Sequence, residues 1–162
     1  MNRLRLILAA LLCALVGNAA AAQELNDQRV YVVRHLNTPE GERDPDLTPA
    51  GKAAAEQLAT WFEGKPLTAI YVSDYKRTRQ TAAPLAAARG ITVKLYNPAD
   101  TPALIARVRA EPGRVLIVGH SNTVPDIVEQ LGGIRPEALA HPDFGDIWSV
   151  ENGITEQAKL KP

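Results

Sequence analysis

The feature that most constrains this chain is a regular alternation. Short runs of β-branched and apolar residues are separated by longer stretches with a helical spacing of apolar positions. Val30 to Val33, Ala69 to Val72, Ile91 to Leu95 and Val115 to Val118 have the length and composition of buried strands. Between them, helices are predicted from Pro49 to Phe62, Lys76 to Ala88, Pro102 to Arg109 and Val124 to Leu131. Thr48 before Pro49 is an N-cap followed by a first-turn proline, and Gly90 is placed to close the second helix. In the first helix Ala53, Leu58, Trp61 and Phe62 are expected to share the buried side. Near the end, two strand-like runs flank Asn152-Gly153, the pair favoured in tight hairpin turns. Such a pattern predicts an α/β fold: a three-layer sandwich with a mostly parallel central sheet, helices on both faces, and an antiparallel edge hairpin at the C-terminus. Val115 to Val118, the most apolar run, is expected in the middle of the sheet.

Length and charge narrow the possibilities further. The 162 residues, 46% hydrophobic, suit a single domain with one ordinary core. Eighteen basic residues balance eighteen acidic ones, so no overall field favours nucleic acid or an anionic membrane surface as partner. The first 22 residues have the form of a signal peptide. Arg3 and Arg5 precede an apolar run from Leu6 to Val16, and small residues from Ala19 to Ala22 form a cleavage region. The run is short for a membrane span, so no stable span is expected after processing. The mature domain, residues 23–162, would be periplasmic or secreted. Cleavage would also remove Cys13, the sole cysteine, and with it any disulfide, thiolate metal site or cysteine nucleophile.

Parallel sheets gather ligands at the carboxyl ends of their strands. Here those ends read Arg34-His35, then Ser73-Asp74-Tyr75-Lys76-Arg77, then Gly119-His120-Ser121-Asn122-Thr123. Two of the three histidines and several cations therefore converge on one rim. His141, in the polar stretch His141-Pro142-Asp143, reads as a loop residue. Arg79, two positions from Arg77, points some 200° away on a helix and is the weaker candidate for an anion contact. Ser121 and Asn122 are expected to cap the following helix.

Four ordered blocks, Val32-Val33-Arg34-His35, Leu47-Thr48-Pro49-Ala50-Gly51, Ser73 to Arg77 with Gln80-Thr81-Ala82, and Val118-Gly119-His120-Ser121, resemble the histidine phosphatase superfamily, also called phosphoglycerate mutase-like. The resemblance implies phosphoryl transfer through a phosphohistidine on His35, without metal or cofactor, on a small phosphorylated substrate. His120 would be a protonated donor to the phosphoryl group. Arg34 and Arg77 match the phosphate-binding arginines, and Asn37 is a further candidate ligand. The acid that protonates the leaving alcohol is left open among Asp74, Asp100 and Asp126. The chain departs from the family at Leu36-Asn37-Thr38, where a small and then an acidic residue usually follow the histidine. Leu36 is accordingly expected to crowd the pocket. This departure and the unassigned acid support an alternative: a degenerate member that binds phosphorylated ligands without turning them over.

Overall fold

The computed structural model describes residues 28–161; the signal peptide expected over residues 1–22 lies outside them. Six strands form one sheet: β1 (Arg29–Arg34), β2 (Ala69–Ser73), β3 (Lys94–Tyr96), β4 (Arg114–Gly119), β5 (Asp146–Glu151) and β6 (Ile154–Lys159). Four helices connect them: α1 (Pro49–Trp61), α2 (Lys76–Arg89), α3 (Thr101–Arg109) and α4 (Val124–Gln130). The strand order is β3-β2-β4-β1-β5-β6. The first four in that order run parallel, while β5 pairs antiparallel with β1, and β6 with β5. The expected three-layer α/β sandwich is what forms, with β4 inside the sheet and the hairpin at one edge.

Alternation along the strands explains the layers, because successive side chains leave a strand on opposite faces. Val30, Val32, Tyr71, Val115 and Ile117 pack with Leu104, Ile105 and Val108 of α3 and with Ile127 and Val128 of α4. Tyr31, Val33, Ile70, Val72, Leu116 and Val118 pack on the other face with Leu58 of α1 and Leu85 of α2. Each layer thus closes over side chains supplied by every second strand residue. No helix among the described residues is long and apolar enough to cross a membrane.

Local chemistry sets most boundaries. Thr48 caps α1, its Oγ1 accepting from the Gly51 amide at 3.0 Å. Gly90 ends α2 in the left-handed conformation. Asn152 and Gly153 both have positive φ, 51° and 77°, as a turn matched to the strand twist requires.

Three expectations need correcting. The run Ile91 to Leu95 contributes only its last two residues to a strand, which continues to Tyr96. Ile91 is still engaged in closing α2, its amide donating to the Ala86 carbonyl, and Ile91 and Val93 pack partly buried against the core instead. In α1, Ala53 is exposed; the buried line runs through Gly51, Ala55 and Leu58 at helical spacing. Neither Ser121 nor Asn122 caps α4, because the helix begins at Val124 and Thr123 takes the cap position.

Candidate active site

The pairing of β1 with β4 builds the centre of the site. Arg34 stands opposite Gly119, so His35 and His120 leave adjacent parallel strands at the same level. Strands in a sheet are about 4.8 Å apart, and the two imidazole centroids are 5.4 Å apart. The β2–β4 register sets Val72 opposite Val118, which brings the next residue, Ser73, beside His120. Its Oγ lies 2.7 Å from His120 Nε2.

The partners fix the tautomers. His35 Nδ1 lies 3.0 Å from the carbonyl of Leu36, which only accepts. That nitrogen therefore carries the hydrogen, and Nε2 keeps its lone pair. In His120 the roles are reversed. Arg77 Nη2 donates to Nδ1 at 3.3 Å, so Nε2 carries the hydrogen and donates to Ser73. Both rings are buried, at 6% and 7% exposure. Burial, and for His35 the positive charge of Arg34, Arg77 and His141, pushes its pKa down to about 4. His120 is pushed down to about 3 by burial and then by Arg77, His35 and Arg34. In the free protein a dry site already holding two guanidiniums keeps both imidazoles neutral, whereas the expected protonation of His120 concerns the phosphate-bound site.

Arg34 is itself buried. Its Nη1 donates to the carbonyls of Ala140 at 2.7 Å and Asp143 at 3.0 Å, and its guanidinium lies 4.2 Å from the centre of the Phe144 ring. Its Nε is fully enclosed and, among the described residues, has no hydrogen-bond partner. A charged donor left unpaired inside a protein is costly, and an anion would satisfy it. Arg77 spans His120, the Arg43 carbonyl and Asp44 Oδ1, the last at a long 3.5 Å, and stacks 4.4 Å over the Tyr75 ring. Tyr75 in turn meets His120 edge-on at 5.1 Å. Two guanidiniums and two imidazoles therefore share one pocket flanked by Tyr75 and Phe144.

The remaining motif residues hold the loop after β1. Thr81 Oγ1 accepts from the Leu36 amide, and Gln80 Oε1 accepts from the Leu47 amide. The Asn37 carbonyl accepts from the Thr48 amide. Gly51 lets α1 approach that carbonyl, since a Cβ at position 51 would stand 2.3 Å from the Asn37 oxygen. Asn37 is half-buried beside His35, and its side chain makes no hydrogen bond among the described residues. Leu36 does not crowd the pocket. It is 1% exposed and packs into the core beneath α1 and α2.

The three aspartates proposed as acids are elsewhere. Asp74 pairs with Arg79 at 2.5 Å, which also accounts for Arg79 as a surface residue. Asp100 caps α3 by accepting from the Ala103 amide. Asp126, on α4, accepts from Gln130 and pairs with Arg135 beyond the helix end. None makes a polar contact with either site histidine. Sequence reasoning missed Tyr75, Phe144, Asp44 and Glu40, and set His141 aside although it packs beside this centre.

The family model described as histidine phosphatase superfamily (branch 1) matches residues 30–97, which include the first three of the four motif blocks. Over that stretch the chain is similar to the histidine phosphatase superfamily. Solved structures share its fold. A mycobacterial glucosyl-3-phosphoglycerate phosphatase superposes with a TM-score of 0.65 at 13% identity, over 82% of this chain and 97% of that one. The protein histidine phosphatase SixA complexed with tungstate gives 0.63 at 20% identity, over 82% and 97%. The alpha-ribazole phosphatase from Shigella flexneri gives 0.63 at 16%, over 83% and 96%. No curated protein matches the sequence. At these identities the superpositions establish the fold alone.

Proposed function

We propose that this chain is a member of the histidine phosphatase superfamily and a metal-independent phosphatase of the cell envelope, hydrolysing phosphate monoesters through a phosphohistidine on His35. The observation that carries the reading is the pairing of a free His35 Nε2 lone pair with the enclosed, unpartnered Nε of Arg34. A neutral imidazole is a competent nucleophile near neutral pH, and phosphoryl transfer mainly needs positioning and neutralisation of the oxygens. Arg34 Nε and the Arg77 guanidinium supply that neutralisation. When a phosphate dianion enters, its charge offsets the two arginines and restores the affinity of His120 for a proton. Nδ1, the nitrogen that Arg77 contacts in the free protein, then donates to a phosphoryl oxygen. Water completes the cycle by displacing His35 from phosphorus. That related folds are solved with tungstate and with VO3 bound supports a pocket for tetrahedral or similar oxyanions.

The N-terminal sequence supports periplasmic or secreted placement, with residues 1–22 removed. An exported phosphatase would meet free sugar phosphates, nucleotides or lipid headgroups. The test is hydrolysis of 4-nitrophenyl phosphate in the presence of a chelator, compared with His35→Ala. Chelator-resistant turnover, lost in the variant, together with acid-labile phosphate on His35, supports the enzyme. Phosphate binding without turnover of any ester would instead establish the degenerate, ligand-binding alternative.

A further inference from the structure

His141 has no part in the reaction above, yet it packs against Phe144, the ring that flanks the site. Its Nδ1 lies 2.8 Å from Glu40 Oε1, and its Nε2 lies 3.2 Å from the carbonyl of Thr38. Both partners can only accept, so a ring bonded to both carries a hydrogen on each nitrogen. The Phe144 ring joins it to the centre: His141 meets that ring edge-on at 5.0 Å, and His35 lies against it at 5.9 Å. In its charged form His141 lowers the pKa of His35. Unlike the two buried site histidines, His141 has a side chain that is one-third exposed, and so is accessible to a substrate's alcohol portion. The charged and titratable groups around it are Glu40 on the loop after β1, Asp143 in its own loop, and Arg34 and the neutral His35 across Phe144. It is a proton-carrying side chain beside a site where none of the three candidate aspartates makes contact.

The geometry points to His141 as the acid that protonates the leaving alcohol, with Glu40 holding its ring; this rests on the phosphohistidine reading. In the first step the Nε2 lone pair of His35 forms the N–P bond and the P–O bond to the alcohol breaks. The departing oxygen keeps the bonding pair and takes the proton from His141 Nε2, which leaves the Thr38 carbonyl to deliver it. His141 is then neutral. In the second step a water oxygen bonds to phosphorus, His141 Nε2 accepts the water proton, and the N–P pair returns to His35. The long 3.2 Å contact to Thr38 is a weak hydrogen bond, so its loss opposes delivery only slightly. Glu40 keeps Nδ1 engaged, leaving Nε2 as the nitrogen that exchanges its proton.

The experiment compares kcat/KM for 4-nitrophenyl, phenyl and ethyl phosphate in the wild type, His141→Gln and Glu40→Gln. A general acid matters more as the leaving group becomes a stronger base. For His141→Gln the loss should grow along the series, from about tenfold or less with the nitrophenyl ester to roughly 100-fold or more with the ethyl ester. Glu40→Gln should show the same gradient, weaker, and serves as the test should the first variant not fold. Equal losses on all three esters, or none, would overturn the assignment while leaving the phosphatase intact. A wild type that hydrolyses no ester and leaves no phosphate on His35 would overturn both.

Discussion

Holding two neutral imidazoles in a dry, positively charged site makes stability depend on pH, and the size of the dependence follows from the structure. His35 titrates at about 4 and His120 at about 3 in the folded protein, against 6.5 for an unperturbed histidine. Between those values the unfolded chain binds protons that the folded chain refuses. Stability is therefore greatest above pH 6.5 and is lost as pH falls toward the folded-state pKa values. One pKa unit corresponds to about 1.4 kcal/mol per group, so between pH 7 and pH 5 each histidine should remove about 2 kcal/mol. The pair removes about 4 kcal/mol, a large share of the 5–15 kcal/mol typical of a domain. Most carboxylates titrate below this window, which isolates the histidines. Urea unfolding at intervals from pH 7 to pH 5 would measure it, alongside His120→Asn, which should roughly halve the slope. Added tungstate should flatten the wild-type slope, because an oxyanion between the arginines makes the imidazoles easier to protonate. Stability flat over this range, or a slope unchanged in His120→Asn, would refute the reasoning.

Other perturbations separate scaffold from site. Gly51→Ala forces a methyl group against the Asn37 carbonyl, a backbone atom that cannot rotate away; it should cost about 1–3 kcal/mol, read by thermal melting. Leu36→Ala should lower stability by about 2–5 kcal/mol, as for other enclosed leucines, because the side chain fills core and not pocket. Arg77→Ala should reduce kcat/KM on 4-nitrophenyl phosphate by roughly 100-fold or more, the loss of one preorganised donor, with the urea midpoint shifting far less.

How far the sequence discloses this molecule depends on the range of the forces involved. The strands and helices follow from local periodicity, and the layers from alternation along β1, β2 and β4, so the architecture can be read without coordinates. His35, His120, Arg34 and Arg77 are also legible, since strand ends in a parallel sheet must lie together. What escapes is contact between loops. Nothing in the spacing of His141, Phe144 and Glu40 indicates that residues about a hundred positions apart meet beside His35. Only the surplus of a third histidine hints at it. Leu36 misleads for a related reason: its neighbour His35 turns toward His120, but the next side chain leaves on the opposite side into the core. Charge states are hidden as well, because the neutral form of His120 is set by burial and by arginines distant in sequence.

The alignment of β1 with β4 carries an evolutionary consequence. Because main-chain pairing at Arg34 and Gly119 sets the separation of the two imidazoles, lengthening the connection at residues 97–100 leaves the chemistry untouched. Deleting one residue within either strand disrupts both the interior and the reaction centre. Descendants of such a chain can diversify what they recognise by remodelling the surrounding segments, while selection for simple foldedness preserves the reactive pair.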